Sequence, residues 1–358
     1  MSDAKRQAQS FTERFHLRVP ILLAPMAGAC PPALSIAVAR AGGMGACGAL
    51  LMRPDEIAKW ASDVRAATDG PFQINLWVPD PPPRRDAEHE ARVRAFLARF
   101  GPEVPASAGD ATPPDFAKQC EALLDVCPTM VSSVMGLFPP PVVERLKQRG
   151  IVWCATATTV AEARQAEAAG ADVIVAQGAE AGGHRGCFDA ADAERKLVGL
   201  FSLIPAVVDA VRVPVVAAGG IADARGIAAA LTLGASAVAI GTAFLRCPEA
   251  QVNAAWADAL SRTNPEDTML TRAFSGRAGR SIVTDYVRAA ASSDAPPPAP
   301  YPVQRGLTAA MRGEAQKQSD IHRMQTWAGQ SAMLARAEPA GTSVERWWRA
   351  AEQLLPHG

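Results

Sequence analysis

The chain has 358 residues, 49% of them hydrophobic and 20% charged, a composition with ample apolar surface to bury and no sign of disorder. That length exceeds one average domain but suits a single α/β barrel carrying an added lobe. Lys plus Arg and Asp plus Glu both count 36, so no net field draws the chain to nucleic acid or to an anionic membrane surface.

The opening stretch, MSDAKRQAQSFTERFHLRVP, lacks the basic-then-apolar pattern of a secretory signal. No apolar run approaches the roughly 20 residues of a membrane span. Seven cysteines occur with no C-x-x-C pair, mostly inside apolar runs, which reads as buried free thiols in a reducing compartment. A cytoplasmic protein is expected.

Eight short runs rich in Val, Ile, Ala and Leu follow: Ile21–Met26, Met44–Leu50, Phe72–Val78, Met130–Met135, Val152–Thr156, Val173–Gln177, Val215–Ala218 and Ala237–Ile240. Between them lie amphipathic stretches such as PPALSIAVARAG, PDEIAKWASDVRAAT and DARGIAAALTLGA, each able to lay one apolar stripe on a sheet. Several end at glycine (Gly42, Gly150, Gly170, Gly234), where a helix C-terminus commonly needs positive φ. Strand alternating with helix eight times predicts a (β/α)8 barrel, the TIM-barrel class. A Rossmann fold would want G-x-G-x-x-G after an early strand, and none stands there.

The longest interruption, 79–114, reads as a surface helix and loop without assigned chemistry. After the eighth strand, Glu249 to about Ala290 reads as helical, then comes the proline-rich SSDAPPPAPYP. The expected organisation is a barrel over 1–248, a small, mainly helical lobe capping its mouth over 249–303, and a segment over 304–358 returning to the barrel. The ending, GTSVERWWRAAEQLLPHG, reads as a terminal helix.

In such barrels the active site sits at the C-terminal ends of the strands. Those ends read APMAG (24–28), QINLW (73–77), AQGAEAGGHRG (176–186), AAGGI (217–221) and IGTAF (240–244). The loops after the seventh and eighth strands are the usual phosphate position of barrel enzymes. There Gly219 and Gly220 let backbone approach an anion, Asp223 caps the next helix, and Gly241 with the Thr242 hydroxyl completes a cradle. A GG pair can also just make a tight turn; two such loops at the correct strands favour phosphate.

Asn75 and Gln177 are amides ending apolar strands, costly to bury unless hydrogen-bonded. A flavin's pyrimidine edge would satisfy both, as would neighbouring backbone. Of five histidines, His184 alone sits in a glycine-rich loop at the reactive rim, where an imidazole pKa near 6.5 suits proton transfer. Glu180 reads as orienting that loop. No H-E-x-x-H, Walker loop, G-x-S-x-G or metal-ligand spacing occurs, and Cys187 has no nucleophile geometry with His184.

Together with a late WAGQ (327–330), these strand ends resemble the class I nitronate monooxygenase (2-nitropropane dioxygenase) family over essentially the whole chain, AQGAEAGGH being the most specific piece. The resemblance implies FMN in the barrel mouth, contacted by Met26, Asn75, Gln177, Gly182, Gly219, Gly220, Gly241 and Thr242, with His184 catalytic. It implies oxidation of alkyl nitronates, and in some members of nitroalkanes, by O2 to a carbonyl compound and nitrite. Arg185 or an arginine of FSGRAGR (274–280) would attract the nitronate anion; the barrel faces are compatible with a homodimer. Two departures stand out. Ala239 replaces a common Gln, and the chain has only two tyrosines. The rival reading is an NADH-dependent FMN enzyme of the quinone reductase or enoyl-acyl carrier protein reductase type, whose first strand typically ends in a QGGM-like sequence where this chain has APMAG.

Overall fold

The structure is a computed structural model and describes residues 2–356. In chain order its strands are β1 (Ile21–Leu23), β2 (Gly45–Gly48), β3 (Phe72–Trp77), β4 (Met130–Val134), β5 (Val152–Ala157), β6 (Val173–Gln177), β7 (Gly183–His184), β8 (Val215–Ala218), β9 (Ala237–Ile240), β10 (Thr268–Thr271) and β11 (Gly279–Ile282). All eight expected apolar runs are strands. They form one parallel sheet, β1-β9-β8-β6-β5-β4-β3-β2. Leu23 N–H donates to the Met44 carbonyl and Met44 N–H to the Ile21 carbonyl, so β1 meets the β2 edge and the barrel closes.

Alternation along each strand assigns the two faces. Leu22, Met44, Met130, Cys154, Val173, Val216, Ala237 and Ala239 pack together inside the barrel. Ile21, Leu23, Ala217, Val238 and Ile240 pack outward, against the helices. Phe11 and Phe15 of the helix Asp3–Phe15 join the interior cluster and plug the barrel's N-terminal end. The period of two then points Asn75 and Gln177 inward at the opposite end of β3 and β6. Ala239 lies among these interior apolar side chains, which accounts locally for a small residue there.

The cap differs from its expectation. Within 249–290, β10 and β11 form an antiparallel hairpin, extended by β7 from the barrel's own loop into a three-stranded sheet. Only Ala254–Leu260 and Asp285–Ala290 are α-helical there. Strands of four residues carry too little alternation to show in sequence, and the pairing that completes them comes from about ninety positions away. The apolar core of the cap draws on three separated stretches, through Val93 and Leu97, Phe274 and Tyr286, and Val303 and Leu307. The helix Ala340–Leu354 returns to the barrel, seating Val344, Trp347 and Ala351 against the outer helices. No helix among the described residues is long and apolar enough to cross a membrane.

Candidate active site

At the C-terminal ends of the strands the backbone is opened by glycine where sequence placed it. Gly219 and Gly220 follow β8 with φ of 113° and 66°, a region that L side chains rarely adopt. Their amides are engaged by no carbonyl or side chain among the described residues. Asp223 caps the helix Ala224–Thr232, accepting from Arg225 and Gly226 N–H. Across the mouth, the Thr242 hydroxyl accepts from Gly329 N–H at 3.0 Å, and Met26 lies against Gly241. A Cβ on Gly182 would fall 2.4 Å from the Gly329 nitrogen, so the loop after β6 is pressed onto the 327–330 segment.

The two inward amides behave differently. Asn75 Nδ2 donates to the Ser132 carbonyl and hydroxyl, and its Oδ1 has no partner among the described residues. Gln177 is used at both ends: Nε2 donates to the His184 carbonyl at 3.1 Å, and Oε1 accepts from Gly186 N–H at 2.7 Å. Gln177 thus clamps the loop that carries His184. Glu180 accepts from Leu200 N–H at the start of the helix Leu200–Val208, anchoring the same loop as expected.

His184 sits on β7, paired to Gly279 of the cap. Trp77 and Trp327 lie 4.7 and 4.8 Å from its ring, and Tyr301 stacks on Trp77 at 4.8 Å. Desolvation within this pen, with the positive charges of Arg305 and Arg277, pushes the imidazole pKa from 6.5 down to about 3. The expected unperturbed value is corrected: the ring is neutral at physiological pH. Its Nε2 meets Ser275 Oγ at 2.8 Å. Ser275 Oγ also lies 3.1 Å from the Arg277 carbonyl and accepts from Arg277 N–H. The hydroxyl thus ties Nε2 of the ring to the Arg277 backbone and fixes the ring's orientation.

The arginine expectations divide. Arg185 is buried and donates to the carbonyls of Gln177, Thr158 and Lys196, so it holds backbone and is not available to a substrate. Arg277 is 1% exposed and gripped by Asp80 through bonds of 2.9 and 2.8 Å, while its Nη1 finds no oxygen or nitrogen partner among the described residues. Arg280 spends its donors on Ala179 and Thr268. The stretch 79–114 was expected to carry no chemistry, yet it supplies Asp80. Sequence reading gave no role to Trp77, the end of QINLW, or to Ser275, within FSGRAGR, nor to Tyr301 and Arg305; all four are brought to the surroundings of His184 only by the tertiary fold. His16, His89 and His322 lie away from the site, and His357 lies outside the described residues.

Against known proteins, the family model described as nitronate monooxygenase matches residues 9–346. A nitronate monooxygenase of Paraburkholderia phytofirmans is 40% identical over 342 residues, 94% of this chain and 93% of its own length. One from Pseudomonas aeruginosa is 38% identical over 336 residues, 92% and 95% of the two chains. Among solved structures, nitroalkane oxidase from Streptomyces ansochromogenes superposes with a TM-score of 0.87 at 37% identity, covering 96% of this chain and 98% of that one. FabK from Thermotoga maritima follows the same fold less closely, with a TM-score of 0.74 at 27% identity and 96% of both chains covered. The chain belongs to the nitronate monooxygenase family of flavin-dependent oxidoreductases.

Proposed function

We propose that this chain binds FMN in the barrel mouth and oxidises alkyl nitronates with O2 to a carbonyl compound and nitrite. The residues fit the cofactor. The unengaged amides of Gly219 and Gly220, with Gly241 and Thr242 opposite, suit a phosphate, and the free Oδ1 of Asn75 suits a ring N–H. Met26, Gly182 and the second lone pair of Gln177 Oε1 would border the ring system. FMN supplies the electron acceptance and its delivery to O2; the protein supplies binding, orientation and electrostatics.

The observation that carries the reading is the pen around His184. A neutral imidazole packs against two indoles, and of the two arginines whose charge acts on it Arg277 is paired with Asp80 while Arg305 has no carboxylate partner among the described residues. Such a place is short of one negative charge, which a nitronate brings. His184 then orients the anion by donating from Nδ1, with Nε2 held against the Ser275 hydroxyl. The low pKa makes this imidazole a weak base in the free protein, so nitronates are favoured over neutral nitroalkanes, whose deprotonation would demand more of it.

The test is anaerobic mixing of FMN-loaded protein with ethyl nitronate, then separately with NADH, following the oxidised-flavin absorbance. Bleaching by nitronate, with nitrite released once air is admitted, is expected. Bleaching by NADH with no nitronate turnover would move the protein to the NADH-dependent reductases, and a protein that stays colourless after FMN addition would remove the cofactor.

A further inference from the structure

Trp77 and Tyr301, stacked on one another, line a cleft of about 470 Å³, inside the range of roughly 300–1,000 Å³ typical of small-molecule pockets. Its walls include seven prolines, from 79–83, 113–114 and Pro302, with Leu50, Phe116 and Val303. Proline has no N–H, so an apolar occupant strands few backbone donors on these walls. The charges that border it are already matched: Asp80 to Arg277, and Arg85 to Glu90 and Asp110. Gln119 is likewise spent on the carbonyls of Ala49 and Met52. Apart from the Tyr301 hydroxyl, which has no partner among the described residues, what remains of the lining is largely apolar, and it includes Trp77, the ring that touches His184.

We propose that this proline-walled cleft is the subsite for the apolar substituent of the substrate, so that long-chain alkyl nitronates are preferred to short ones. The inference rests on the nitronate reading above. The nitronate group is held at His184, and the hydrocarbon tail leaves it along Trp77 and lies between the 79–83 and 111–114 segments. The cleft wants no charge on that tail, because every charged group at its border has its partner.

The experiment is kcat/KM for FMN-loaded protein over a homologous series of primary nitronates from ethyl to octyl, in the wild type and in Thr112→Trp and Pro82→Trp. Both substituted residues are exposed lining positions from two separate segments, outside the machinery around His184. In the wild type kcat/KM is expected to climb about fourfold per methylene buried until the cleft is filled. Each tryptophan should flatten that climb and leave ethyl nitronate turnover unchanged, which also shows that the variant folds. A flat series in the wild type, with ethyl nitronate turned over, overturns the subsite and spares the nitronate reading. A climb that survives in both variants also overturns it, placing the tail elsewhere. Failure to oxidise any nitronate overturns the parent reading.

Discussion

At His184 the sign of the pH effect follows from where the proton is held. In the unfolded chain the imidazole binds a proton near pH 6.5, and in the fold only near 3. Between those values the unfolded state carries the extra proton, so stability falls as pH drops through that window and this group contributes no slope above it. Carboxylates with lowered pKa, such as Glu338, act in the same direction, so the measurement is a difference. His184→Asn should show a shallower loss of stability in urea between pH 6.5 and 4 than the wild type. Equal slopes would mean that the ring titrates normally. Ser275 acts through the same ring. Ser275→Ala frees the ring's orientation and should lower kcat for nitronate by roughly tenfold, about the 1.4 kcal/mol of one lost hydrogen bond. Ser275→Thr, which keeps the hydroxyl, should recover most of it. The histidine was legible in sequence because glycines frame it. Ser275 was not, because a serine ninety residues away gains its role only when β7 pairs with β11.

At the scale of elements, the loop after β6 and the 327–330 segment are built as one piece. Gly182 approaches Gly329 backbone so closely that a methyl group cannot enter without moving one of them. Gly182→Ala should therefore push the segment away, break the Thr242–Gly329 bond and reduce the flavin retained through purification, read as the ratio of flavin to protein absorbance. Undiminished flavin would detach this contact from cofactor binding. The barrel strands were readable because each is an apolar run bounded by turns, a signal carried entirely by neighbouring residues. The cap hairpin was not, since its third strand is borrowed from the barrel and its apolar core from three distant stretches. The glycine loops lie between these cases: their position after β8 and β9 could be read, whereas the partner pressing on Gly182 could not.

Across the whole molecule, the apolar plug and the candidate site sit at opposite ends of the barrel. The N-terminal helix places Phe11 and Phe15, each 2% exposed and 4.7 Å apart, into the interior cluster at the end away from His184. Residues at that end of a barrel serve the fold, while the other end serves the reaction. Phe15→Ala leaves a cavity against Leu22 and Met44 that the rigid strands cannot collapse around, a loss of about 3–5 kcal/mol. For a chain of this size that corresponds to a fall in Tm of about 4–7 °C. Because the cavity opens far from Trp77, Ser275 and the cap, kcat/KM for ethyl nitronate measured well below the transition should stay within about twofold of the wild type, the additivity expected of distant sites. A variant that kept its Tm but lost turnover would show that the plug reaches the site through the strands, and that the two ends of the barrel are not separable.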